Sequence, residues 1–176
     1  LYWVGSNYAP TLQIPHSQVI NKTTQLEAAM VTIQEITYEQ CLTLWNQLWA
    51  NRVSPIEPTS AMTFSHTSQR SYTTNVGTPT FLGAFVNEQL VGVNSIHDVD
   101  ENQQRSRGLF VLPEFRSNGI ATKLLKATIA CRKPGRCLWS YPKDSALPTY
   151  VRAGFRVITD RIYDPVEDKW NYYVKA

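Results

Sequence analysis

The chain has 176 residues, 43% apolar and 18% charged, with a formal net charge of +3. That balance fits a soluble protein of one domain, or one domain plus an arm, and excludes a disordered chain. The basic residues are dispersed apart from Arg132, Lys133 and Arg136, too few for a nucleic-acid surface, and no apolar run approaches a membrane span. Cys41, Cys131 and Cys137 fit no zinc or redox spacing, so reduced thiols and a cytoplasmic setting are expected. Five Trp and nine Tyr read as core and surface aromatics, because no basic, aromatic-interleaved motif accompanies them.

Residues 1–29 carry two prolines, many polar residues and little periodicity. They read as an N-terminal arm, a tag or an upstream segment, and the compact domain is expected to start at Met30. Asn21-Lys22-Thr23 matches a glycosylation sequon of the kind that arises by chance, and the first residues lack a signal-peptide profile. "VTIQEIT" alternates as a half-buried strand. Thr37 with Gln40 forms a capping box for the helix "YEQCLTLWNQLWA", whose stripe is Cys41, Trp45, Leu48 with Leu42 and Trp49. Residues 51–79 read as a Pro/Ser-rich loop followed by a short helix. "TFLGAFV" and "LVGVNSI" are strands around the turn Asn87-Glu88-Gln89, and "DVDENQQRS" is a polar connection. "RGLFVLP" is apolar on both faces and reads as a central strand.

The helix "IATKLLKATIACRK" follows, with Ala121, Leu125, Ile129 and Leu124 facing the sheet and Pro134-Gly135 as its stop. "RCLWSYP" is a strand. "DSALPTYVRAG" is a helix with Asp144 or Ser145 as N-cap, Pro148 in its first turn and Gly154 as its end. "FRVITDRIY" and "KWNYYVK" are two last strands around Asp164-Pro165. The order implies a mixed α/β sheet with helices on both faces.

The turn "RSNGIAT", Arg116 to Thr122, joins a strand to a helix. It has no Gly-Lys-Ser/Thr for a P-loop and only one glycine, so no dinucleotide fingerprint. A helix N-terminus still offers unpaired N–H groups and partial positive charge, Gly119 permits close approach, and Arg116 adds a full charge. An anion site and a plain flexible turn are both compatible with these residues.

"FVLPEFRSNGIATKLL" resembles the acetyl-CoA signature of the GCN5-related N-acetyltransferase (GNAT) superfamily, met by Val111, Pro113, Arg116, Gly119 and Ala121. "LWSYPKDSALPTYVRAGF" resembles a second element of that family, with Tyr150 four residues before Gly154-Phe155. The resemblance runs from about Val31 to Ala176. Lys143 stands where the family often has Asn, and Ser117 where it commonly has Gly.

The resemblance implies a GNAT-like α/β fold over residues 30–176: a mixed, mostly antiparallel sheet of six to seven strands. It implies acetyl-CoA as co-substrate, its diphosphate held by N–H groups of Arg116, Ser117, Asn118, Gly119, Ile120, Ala121 and Thr122. The pantetheine arm would run along Phe110, Val111 and Leu112 like an added strand. The acetyl carbonyl would accept from an N–H near Val111 or Leu112. Tyr150 would protonate the departing thiolate. The acceptor would be a small-molecule or peptide amine, and an alkylamine is only about 0.04% neutral at pH 7, so its deprotonation needs help. His97, Glu57 and a water relay remain open as the base; Glu114 reads as a solvated rim residue. A non-catalytic module binding CoA or acyl-CoA, a longer acyl chain and a homodimer also remain open.

Overall fold

The computed structural model describes residues 30–48, 50, 61–65, 70–74, 79–165 and 168–176. Strand β1 (Val31–Ile36) leads into helix α1 (Tyr38–Leu48) through the capping box. The Gln40 N–H donates to Thr37 Oγ1 at 3.2 Å, and the Thr37 N–H donates to Gln40 Oε1 at 2.9 Å. The buried stripe of α1 is Cys41, Leu44 and Trp45, while Leu42 and Leu48 are only half-buried; Trp49 lies outside the described residues. Residues 51–60, where most of the Pro/Ser-rich loop was expected, lie outside the described residues; in place of the short helix expected after it, β2 (Ala61–Ser65) and β3 (Arg70–Thr74) form an antiparallel pair. Thr-rich segments such as these favour the pleated strand over the helix.

Strands β4 (Thr80–Val86) and β5 (Gln89–Asp98) form a hairpin. Its turn is tighter than expected: Asn87 and Glu88 both take positive φ (48° and 64°), and Gln89 already pairs with Val86. Strand β6 spans Gln103–Val111, so the supposed polar connection is mostly strand. Gln104, Arg105, Ser106 and Arg107 are buried there, which polar composition alone does not reveal.

Helix α2 (Ile120–Ala130) crosses over to β7 (Cys137–Ser140), parallel to β6. It buries Ile120, Leu124, Leu125 and Thr128; Ala121 packs at the margin of the sheet-facing core and also lines a cleft. A 3-10 turn at Asp144–Ala146 precedes α3 (Leu147–Ala153), whose N-cap is Ala146 with no side-chain cap. Gly154, at φ 116°, ends it as expected. The two last strands are each broken, giving β8 (Arg156–Val157), β9 (Ile162–Asp164), β10 (Lys169–Asn171) and β11 (Val174–Lys175).

The main sheet has seven strands in the order β1-β4-β5-β6-β7-β11-β8, antiparallel except for β6–β7, with β6 central. Trp45, Cys41 and Leu44 pack one face against Phe81 and Val93. Ile120 and Leu124 pack the other against Leu82, Ala84, Val91 and Val111. Leu125, Leu138, Tyr150, Phe155 and Val174 extend that second layer under α3. No helix among the described residues is long and apolar enough to cross a membrane.

Candidate active site: a strand edge that ends in an uncapped helix

Two features of β6 create an opening. The parallel ladder to β7 runs only from Gln103↔Cys137 to Arg105↔Trp139. Beyond Arg105, β6 continues for six residues, about 20 Å, without that neighbour. Opposite Asn94, the pairing jumps from Ser95↔Arg107 to Val93↔Phe110, leaving Gly108 and Leu109 as a bulge. Gly108 sits at φ +76°, and an added Cβ would fall 1.7 Å from the Trp45 ring. Glycine is therefore required twice, by conformation and by the helix above.

The exposed edge lines a cleft of about 480 Å³. Leu109, Phe110 and Val111 form one wall; Lys143, Ser145, Ala146 and Thr149 form the other, and Gln47 and Leu48 close an end. A second cavity, about 300 Å³, is lined by Ser117, Gly119, Ile120, Thr122 and Arg152 among others. The two share Val111, Arg116, Ala121 and Thr149, so they form one continuous groove.

The corner between them is the turn singled out in the sequence. The Leu112 carbonyl accepts from the Phe115 N–H at 2.9 Å, and the Pro113 carbonyl from Arg116 N–H at 3.2 Å. The Asn118 side-chain amide closes the loop on the Phe115 and Arg116 carbonyls at 3.2 and 3.0 Å. Ser117 (φ 65°) and Gly119 (φ 73°) are both left-handed. No side chain caps the N-terminus of α2. Its first N–H groups thus open on the groove with the positive end of the helix dipole behind them. Arg116 is held in place: its Nε donates to the Val111 carbonyl at 2.9 Å and its guanidinium lies 5.7 Å from the Phe110 ring centre.

The Leu112 N–H donates to the Val91 carbonyl at 2.9 Å. By strand alternation, Val111 turns its own N–H and carbonyl toward the open side. Tyr150, next in sequence to the groove-lining Thr149, is 4% exposed and is not itself a lining residue of either cavity. Its ring stacks edge-on against Phe155 at 5.2 Å, and its hydroxyl is 3.3 Å from Ser140 Oγ. Burial raises the Tyr150 phenol above its ordinary value of 10.0, while Ser140 and the Arg105 charge pull the other way.

His97 is 1% exposed, its Nε2 lying 2.7 Å from Ser95 Oγ. Burial, then the charges of Arg107 and Arg105, draw it down from 6.5 to about 3. Asp98 is ion-paired with Lys133 and, at 2.8 Å, with Arg136. Asp100 receives the Asn102 N–H at 2.8 Å. Glu114 is exposed in the 3-10 turn after β6. Glu57 lies outside the described residues. No metal-binding cluster occurs among the described residues, and the cysteines there are free.

Arg152, which the sequence reading did not single out, lines the smaller cavity two residues after Tyr150. Ser140, buried beside Tyr150, was not singled out either, since nothing in the strand pattern of "RCLWSYP" distinguishes its hydroxyl from a surface one.

This architecture, a splayed parallel pair with an uncapped helix at the mouth, is the GNAT fold. The acetyltransferase (GNAT) domain model matches residues 78–157, so that segment carries the family's sequence as well as its shape. Solved structures of the same fold include an acyl-CoA N-acyltransferase from Pseudomonas aeruginosa (14% identity, TM-score 0.60, covering 84% of this chain and 98% of that one). The ribosomal-protein-S18-alanine N-acetyltransferase from Escherichia coli aligns at 15% identity and TM-score 0.57, covering 83% and 92%. Arabidopsis thaliana Naa50, in complex with the bisubstrate analogue CoA-Ac-MVNAL, aligns at 16% identity and TM-score 0.54, covering 83% and 97%. No curated protein sequence matches the chain.

Proposed function

We propose that this chain transfers an acetyl group from acetyl-CoA to a primary amine by direct attack. The observation that carries the reading is the α2 N-terminus: uncapped, entered through two left-handed residues, and opening on a groove along a strand edge. A diphosphate suits that corner, with N–H groups from Ser117 to Thr122 as donors and Arg116 and Arg152 as flanking cations. Pantetheine then lies along β6. Because the Leu112 N–H donates to Val91, the outward donor for the acetyl carbonyl is Val111. The CoA conjugate named for the Arabidopsis neighbour supports this choice of ligand. We take residues 30–176 as the working domain and 1–29 as a preceding arm, tag or upstream segment.

Attack forms the C–N bond and breaks the C–S bond. Tyr150 gives its proton to the departing thiolate and is reprotonated from solvent after the coenzyme leaves. His97, buried and hard to protonate, is poorly placed to take a proton from the amine, which leaves Glu57 or a water relay for that step. The test is a thermal-shift series followed by free-thiol release from acetyl-CoA over a panel of amines. A clear shift with acetyl-CoA, little with NAD or ATP, and amine-dependent thiol release are expected. Stabilisation by NAD or ATP in preference to acetyl-CoA would overturn the reading.

A further inference from the structure

At the point where β6 and β7 part, the last backbone rung is Arg105↔Trp139. The next contact across the gap is a side chain: Ser140 Oγ donates to the Ser106 carbonyl at 2.9 Å. The same oxygen lies 3.3 Å from the Tyr150 hydroxyl. All three residues are buried. A serine hydroxyl has one hydrogen and two lone pairs. While its hydrogen is on the Ser106 carbonyl, Ser140 can only accept from the phenol. If that hydrogen rotates, Ser140 donates to the phenol oxygen instead.

We propose that Ser140 is a positioning residue for Tyr150, acting as a two-position hydroxyl switch at the apex of the splayed strands. In the resting enzyme it accepts the phenol hydrogen and fixes the ring. When Tyr150 passes its proton to the thiolate sulfur, the O–H bond of the phenol breaks and the S–H bond of the coenzyme forms. Ser140 then turns its own hydrogen from the Ser106 carbonyl onto the phenolate oxygen. No further reactant is needed, and solvent restores the phenol proton afterwards. The hydrogen bonds around Ser106 fit this role. Asn94 Nδ2 donates to Ser106 Oγ at 2.9 Å and to Thr128 Oγ1 at 2.8 Å, which anchors Ser106 to α2. Ser106 thereby stays fixed while the Ser140 hydroxyl turns.

The inference rests on the acetyl-transfer reading above. Its rival is a static role, in which Ser140 only staples β7 to β6. A double-mutant cycle separates them, using Ser140→Ala, Tyr150→Phe and the pair, with free-thiol release from acetyl-CoA and the amine that turns over fastest. We expect Ser140→Ala to lower kcat about tenfold, a hydrogen bond to a charged oxygen being lost, with the KM for acetyl-CoA within about twofold. In the Tyr150→Phe background the same change should have almost no effect on kcat. Ser140→Cys, close in size and a poor donor, should behave like Ser140→Ala and replaces it if the alanine variant does not fold. Equal fold-losses in both backgrounds, or a rise in KM with kcat unchanged, would overturn the switch and leave the staple. If Tyr150→Phe itself turns over at the parent rate, the acid role of Tyr150 fails first and the switch falls with it. If no amine elicits thiol release, the acetyl-transfer reading itself fails.

Discussion

Replacing Gly108 and Gly119 separately by alanine should have very different consequences, although both sit near φ +75°. An L-residue forced into this left-handed region loses about 1–2 kcal/mol. At Gly119 nothing lies within 4 Å of the added Cβ, so that conformational penalty is the whole effect. At Gly108 the Cβ would stand 1.7, 2.4 and 2.6 Å from three atoms of the Trp45 ring. Carbon pairs prefer about 3.5–4.0 Å, so the ring must retreat by well over an ångström. Trp45 is 1% exposed in a packed cluster and can retreat only by shifting α1 or opening the bulge. Overpacking of this kind adds about 1–3 kcal/mol, for a total of about 2–5 kcal/mol. Urea titration reads both losses from the midpoint, provided the slope is unchanged. In thermal terms each kcal/mol is about 2–4 °C at this chain length. Gly119→Ala should weaken acetyl-CoA binding out of proportion to its small stability loss, because it crowds the phosphate corner. Equal destabilisation by the two variants would refute the claim that Trp45 locks the bulge.

Ser117→Gly relieves a left-handed serine and should raise stability by about 0.5–1 kcal/mol in the same titration, after the extra entropy of the unfolded glycine is counted. Tyr150→Phe should lower kcat about a hundredfold with acetyl-CoA affinity nearly unchanged, checked by calorimetry beside the rate assay. Arg116→Met or Arg152→Met should weaken acetyl-CoA binding, most at low salt, and leave S-acetylpantetheine binding unaltered. His97 should make the protein acid-sensitive. Its unfolded form gains a proton below about pH 6.5 but its folded form only near 3, so the contribution is whole above 6.5 and is lost as pH falls between those values, by at most about 1.4 kcal/mol per pH unit. His97→Gln should flatten that part of the stability curve; Asp98, held low by Lys133 and Gln104 despite partial burial, acts in the same direction at lower pH and is left in place.

The parts of this fold that were legible in the sequence are those fixed by local chemistry. Thr37 and Gln40 cap a helix across three residues, and Gly154 ends one through its own backbone; both need no distant partner. The turn after β6 was legible for the same reason, since Arg116 to Thr122 form one contiguous stretch leading into α2. What escaped were features decided by long-range packing. Gln104, Arg105 and Ser106 read as a polar connection because their polarity is satisfied only across elements. One such link joins Ser106 to Asn94 and onward to Thr128. Leu44 replaced Leu42 in the α1 stripe because the sheet it packs against sets which face is inward. Ser140 comes beside Tyr150, and Arg152 onto the smaller cavity, through topology: the first by the splay of β6 and β7, the second by the way α3 docks beside α2.

On the proposed reaction, backbone amides at the start of α2 grip a diphosphate. Backbone amide NMR spectra recorded while CoA is titrated in test it directly. The resonances of Ser117, Gly119, Ile120, Ala121 and Thr122 should move together and saturate with CoA, and should stay still with pantetheine alone. Unmoved amides in that turn, with saturating shifts elsewhere on the protein, would contradict it.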